Sequence, residues 1–105
     1  MSDEIKAIND FDRLIHEPAR LAIMAVLFAC DSADFKFIQN STGITKGNLS
    51  AHLRKLEAGE YLKINKGFKG NYPHTTCALT RTGRKAFARY RKQYLALAKQ
   101  FTEEG

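Results

Sequence analysis

"TGITKGNLSAHLRKLEAGEYL" runs from residue 42 to residue 62. Wound at the 3.6-residue helical period, it places Leu49, Leu53 and Leu56 on one face, as a helix packed on a core requires. Thr45 is a good N-cap for this helix, Gly43 supplies a tight turn before it, and Gly59 can terminate it. The opposite face is unusual. It carries Gly47, Ser50, Ala51 and Arg54, flanked by Asn48 and Lys55, where a solvated helix would show long, helix-favouring charged residues. Gly47 alone costs about 1 kcal/mol relative to Ala in a helix interior. A bare outer face of this kind needs a reason outside helix stability.

Working outward, a helix over residues 4–16 is expected, with Ile5, Ile8, Phe11 and Ile15 on one side. Pro18 suits the first turn of a second helix, about 18–30, which is apolar all round and should be central. A short helix follows around Asp34 to Thr42, with Phe37 and Ile38 inward. C-terminal to the quoted stretch, "YLKINKGFKGNYPHTTCALT" alternates apolar and polar residues about two glycines. It reads as a β-hairpin, 61–66 and 73–80, with a long basic tip. A last helix runs from about Arg81 to Phe101. The fold class is therefore mainly α with a small β-hairpin, in the order α-α-α-α-β-β-α.

With 105 residues and 44% hydrophobic content, the chain is expected to be one domain, residues 1–105, with a modest core. The longest apolar run, Leu21 to Cys30, is too short to span a membrane and follows a charged segment, so a cytoplasmic protein is expected. Two cysteines without C-x-x-C spacing give no disulfide framework. The net charge of +6 is regional. Residues 1–17 carry two basic and five acidic side chains, whereas Lys46 to Lys92 carry twelve basic side chains against Glu57 and Glu60. That distribution is the electrostatic footprint of a polyanion partner such as nucleic acid.

Gly43-Ile44-Thr45, then Leu49-Ser50, His52-Leu53, Leu56-Glu57, Gly59, Tyr61-Leu62, and finally Leu79-Thr80 and Gly83-Arg84 occur in an order that resembles bacterial and archaeal transcriptional regulators of the ArsR and MarR type. The likeness is to their small single-domain winged helix-turn-helix branch and covers roughly residues 18–90. It implies that the helix from Thr45 is a recognition helix whose N-terminal half lies against base edges in the DNA major groove. The residues fit that role. Gly47 and Ala51 permit close approach, Ser50 can donate to a phosphate or base, and Asn48 and Arg54 can pair with adenine and guanine edges. Thr45, Lys46 and Lys55 complete the recognition set. Lys63, Lys66, Lys69, Asn71 and His74 would form the wing on the phosphate backbone or in the minor groove, with Arg81 and Arg84 as further phosphate contacts.

Double-stranded DNA is thus the expected partner, and a repressor acting on an inverted-repeat operator the expected function, since no extra domain is available to recruit polymerase. A homodimer is expected as well. Phe87, Tyr90, Tyr94, Leu97 and Phe101 are spaced as a coiled-coil seam, and the Ile5, Ile8, Phe11 and Ile15 stripe is its companion, so that residues 1–17 and 85–105 build the dimer. Two other readings are a winged-helix module for a protein or RNA partner and an ArsR-like metal or thiol sensor. The latter would use Cys30, Asp31 and Asp34, but a single Cys stands where that family's sensing pattern has a close pair, and Cys77 alternates in phase with Leu79 as a core residue would. No metal and no cofactor are therefore expected. Enzymatic function has no support: His16, His52 and His74 are scattered, His52 beside the leucine face, and no Gly-rich phosphate loop precedes a helix.

Overall fold

The computed structural model describes residues 5–102. Among the described residues, four α-helices and a three-stranded antiparallel sheet form a winged helix: α1 (Pro18–Phe28), β1 (Ala33–Asp34), α2 (Phe35–Thr42), α3 (Lys46–Ala58), β2 (Leu62–Lys69), β3 (Tyr72–Leu79) and α4 (Arg81–Thr102). The sheet order is β1-β3-β2.

The expected helix over 4–16 is cut short: Ile5 and Lys6 are helical, a 3-10 turn over Ala7–Asp10 continues them, and the backbone at Phe11 is extended. Asp12 is the cause: its Oδ1 accepts the amides of Leu14 at 2.9 Å and Ile15 at 3.3 Å, offering the backbone a local turn in place of helical bonds. The turn drives Phe11 and Ile15 into the chain's own core and leaves Ile5 and Ile8 exposed. Tyr61 fastens this segment by donating its hydroxyl to the Asp12 carboxylate. Burial and that partner push the Tyr61 hydroxyl up to about 12.

Pro18 opens α1 as expected, behind the Glu17 side chain, which accepts the Arg20 amide at 2.8 Å. α1 is the central helix, packed by α2, α3, β3 and α4. β1 has no counterpart in the sequence reading. Two residues pair Ala33 with Cys77 and Asp34 with Thr76, too short a strand to leave a periodic signal. Asp34 also caps α2 by accepting the Phe37 amide at 2.7 Å. With the helix phased by that cap, Ile38 is buried but Phe37 faces outward, contrary to expectation, and Phe35 packs on the core instead.

Gly43, at φ 74°, makes the left-handed turn between α2 and α3, and the Thr45 side chain caps α3. Leu49, Leu53 and Leu56 are fully buried on the inner face. At the far end the left-handed residue is Glu60, at φ 66°, rather than Gly59. Gly59 is nonetheless the C-cap of α3, as expected, its amide donating to the Lys55 carbonyl at 3.1 Å, and a Cβ there would press on the tip of the Leu14 side chain. Because an L side chain is strained in the left-handed region, Glu60→Gly is expected to raise stability by about 0.5–1 kcal/mol in urea unfolding, net of the added chain entropy. An unchanged or lower midpoint would show that Glu60 is held there without strain.

The hairpin is longer and tighter than expected. β2 and β3 pair without interruption from Leu62↔Leu79 to Lys69↔Tyr72, leaving only Gly70 and Asn71 in the turn. Gly70 at φ 64° followed by a residue of negative φ is the sign pattern of a type II′ turn, which matches the strand twist. The base of the hairpin is tied to α3, since Glu57 accepts the Ile64 amide at 2.8 Å.

Candidate nucleic-acid interface

α3 and the hairpin enclose an open cleft of about 870 Å³. Lys46, Ser50 and Arg54 line one side; Lys66, Lys69 and His74 line the other; Lys36 of α2 and the Asp34 and Glu57 carboxylates border it. The two carboxylates are already occupied. Glu57 holds the Ile64 amide, and Asp34 holds the Phe37 amide while lying 3.5 Å from His74 Nε2. The Phe37 amide foremost, then His74 and Lys69, keep the Asp34 carboxyl below its usual range. The cations are not so occupied. Among the described residues, Lys46, Arg54, Lys55, Lys63, Lys66 and Lys69 make no salt bridge or side-chain hydrogen bond, and all six are exposed.

The remaining recognition candidates sit around this cleft. Thr45, Gly47 and Asn48 are exposed at the start of α3, and Ser50 and Ala51 are half-buried one turn on. A Cβ built on Gly47 meets nothing within 4 Å, so no neighbour within the chain requires glycine there. Asn71 is at the hairpin tip, and Lys63 lies near its base opposite Ala78. His52 is half-buried with Nδ1 3.3 Å from Arg20 Nη1, and Arg20 Nε donates to the Leu14 carbonyl at 2.6 Å. α3 is thereby braced against α1 and the N-terminal segment, with its outer face left free.

Arg84 does not face this cleft. Its guanidinium turns inward and donates to the carbonyls of Phe28 at 3.2 Å and Cys30 at 2.7 Å, closing the C-terminal end of α1 over the Phe28 ring. A sequence reading of isolated elements misses this use, because the carbonyls it serves are 54 and 56 residues away.

Of the dimer candidates, Phe11, Ile15, Tyr90 and Leu97 are buried within the chain, Tyr90 accompanied by His16, whose Nδ1 lies 2.7 Å from its hydroxyl. Ile5, Ile8, Tyr94 and Phe101 remain exposed, joined by Leu95. Of the segments 1–17 and 85–105, residues 1–4 and 103–105 lie outside the described ones. Cys30 donates its thiol to the Val26 carbonyl at 3.3 Å, and burial pushes the Cys77 thiol up to about 11. Among the described residues no three His, Cys, Asp or Glu side chains come together as a metal site, and no helix is long and apolar enough to cross a membrane.

A basic cleft between a small-faced helix and a β-hairpin is what a winged-helix regulator presents to DNA. Residues 19–103 match the family model described as the winged helix DNA-binding domain, and the chain belongs to that family. An uncharacterized protein of Methanocaldococcus jannaschii is 29% identical over 87 residues, covering 83% of this chain and 95% of its own length. The solved structure of a transcriptional regulator homologue from Pyrococcus horikoshii OT3 superposes with a TM-score of 0.83 at 29% identity, over 94% of this chain and 97% of that one. The transcriptional repressor CouR, solved on a 23-mer DNA duplex, shares the fold with a TM-score of 0.72 at 21% identity, over 98% of this chain and 77% of its own. MarR- and ArsR-family regulators have the same fold. These solved structures are transcriptional regulators or a homologue of one, a non-enzymatic class.

Proposed function

We infer that this chain is a repressor that binds operator DNA as a homodimer, with the N-terminal half of α3 in the major groove and the hairpin over the flanking backbone. One observation carries the reading: the outer face of α3 and the facing side of the hairpin hold unpaired cations around a surface with open space over Gly47. Each Lys or Arg that meets a phosphate releases counterions, so affinity is expected to fall steeply with salt. Lys46, Ser50, Lys66 and Lys69 would flank the phosphate strand between the two grooves, while Asn48 and Arg54 read base edges. That CouR is a repressor solved on DNA supports the assignment.

Dimerisation is the second part of the proposal. Tyr94, Leu95 and Phe101 on α4, and Ile5 and Ile8 in the N-terminal segment, are large apolar side chains left exposed beyond the core. Exposed apolar surface of this kind marks interfaces. A two-fold dimer would set two α3 helices roughly 34 Å apart on an inverted repeat, and a dimer covering a promoter blocks polymerase. Since Leu97 is buried in its own chain, Leu95 at 60% exposure is the position to probe. Wild type should sediment as a dimer at micromolar concentration. Leu95→Asp should be a folded monomer with an unchanged melting temperature and greatly weakened binding to DNA from upstream of its own coding sequence. A wild-type monomer that binds such DNA with full sequence preference would overturn the dimer.

A further inference from the structure

The hairpin carries two large aromatic side chains where the charge argument calls for lysines. Phe68 and Tyr72 are 76% and 77% exposed, and neither makes a ring contact with another described residue. They are not core residues displaced by error of register, because every residue from Asn65 to Pro73 is exposed. The strands project past the body there and are held by their own ladder.

The register separates the two rings. Phe68 pairs directly with Pro73 and Lys69 directly with Tyr72. Residues directly opposite share a face and successive pairs alternate, so one face of the tip presents Phe68 with Pro73 and the other Tyr72 with Lys69. Ile64, Lys66, Pro73 and Thr75 of the Phe68 face line the cleft shared with α3, and of the other face Lys69 and His74 do, so the Phe68 face is the one turned chiefly toward the side on which the proposed DNA lies. The surroundings suit a polyanion: residues 61–80 contain Lys63, Lys66 and Lys69 and no acidic residue. A minor groove about 6 Å wide admits a side chain from the end of such a tip, and the groove must open, as it does in a kinked duplex, to take more. Edge strands that merely avoid pairing carry lysine or proline there, and Phe has no such use.

Resting on the reading that the hairpin meets duplex DNA, we propose that Phe68, backed by Pro73, is a wedge that enters between base pairs from the minor groove and kinks the duplex. Phe and Pro are among the side chains able to unstack a base step, and the cost of doing so is least at flexible pyrimidine–purine steps. The wedge therefore adds sequence preference at positions where no base edge is read. The lysines deliver the tip to the backbone, and Phe68 selects where the duplex yields.

The test uses the full chain with two end-labelled duplexes of about two helical turns, one alternating TA and one an A-tract, each with a 2-aminopurine in place of one adenine. On the alternating duplex, wild type should raise 2-aminopurine fluorescence and shorten the end-to-end distance, with little of either on the A-tract. Phe68→Ala should abolish both signals and lower affinity about 10- to 100-fold on the alternating duplex alone, while Phe68→Leu, still a wedge, keeps them. Both substitutions leave the melting temperature unchanged if Phe68 has no role in the fold. Salt-dependent binding by wild type with no fluorescence change would overturn the wedge and leave the DNA reading standing, whereas no binding to either duplex would defeat both. Equal loss on the two duplexes in Phe68→Ala would make Phe68 an ordinary contact. Tighter binding to single-stranded thymidine runs, lost in Phe68→Ala, would assign the ring to base stacking on single strands. Either result overturns the proposal.

Discussion

Gly83→Ala is expected to destabilise the protein by about 3 kcal/mol or more, lowering the melting temperature by about 10–20 °C. A Cβ at this position would stand 1.9 Å from the Tyr61 carbonyl oxygen, 2.8 Å from its carbon and 3.0 Å from its Cα. All three are backbone atoms, so no rotamer change relieves the overlap. Tyr61 cannot retreat, since its amide is bound to the Leu56 carbonyl at 3.0 Å and its hydroxyl to Asp12. α4 cannot retreat either without loss. Its cap residue Thr80 donates its amide to the same Tyr61 oxygen at 3.0 Å and its hydroxyl to Glu60 O at 2.6 Å. Gly67→Ala is the control, because a Cβ there meets nothing within 4 Å. Thermal unfolding should separate the two variants, and a Gly83→Ala protein melting with the wild type would show that α4 packs differently on the turn after α3.

The second large effect concerns binding. Removing three phosphate contacts lowers the slope of log affinity against log salt by about 0.9 each, so Lys63, Lys66 and Lys69 changed together to Ala should flatten it by about 2–3 units. At about 0.1 M salt that corresponds to a roughly 10²- to 10³-fold loss, alike on operator and random duplex. Arg54→Ala should behave differently in kind. It should lose about 1–3 kcal/mol on the operator, less on random DNA, and relax the preference at one base position. Equal losses on all duplexes for Arg54→Ala would remove it from base reading, and an unchanged salt slope in the triple variant would take the hairpin off the backbone.

Periodicity made α3 legible. Leu49, Leu53 and Leu56, the Thr45 cap and the Gly43 turn act within a few residues of one another, and the structure forms them as the pattern requires. The readings that failed involved side chains bonding outside their own pattern. Ile5, Ile8, Phe11 and Ile15 have helical spacing, but the Asp12 carboxylate captures two amides and ends the helix before the stripe is complete. Tyr90 and Leu97 keep a coiled-coil spacing yet are consumed by the chain's own core, because the bent N-terminal segment covers that part of α4. Arg84 was indistinguishable from a phosphate-binding arginine until α1 ended beside it. Phe68 carried a readable signal, a large apolar side chain among lysines and glycines in the hairpin, which becomes informative only with the register that places it opposite Pro73.

At Gly47, fold and DNA binding pull an alanine substitution in opposite directions. Nothing in the chain occupies the space above Gly47, and alanine is the better helix former, by at most about 1 kcal/mol in this first turn, so the variant should unfold at a slightly higher temperature or urea concentration. If α3 lies against base edges at this point, the added methyl group holds it off the groove. Affinity for duplex from upstream of its own coding sequence should then fall about 10- to 100-fold, with the salt slope preserved. A variant that gains stability and binds that duplex as tightly as the wild type would contradict the placement of α3 in the major groove.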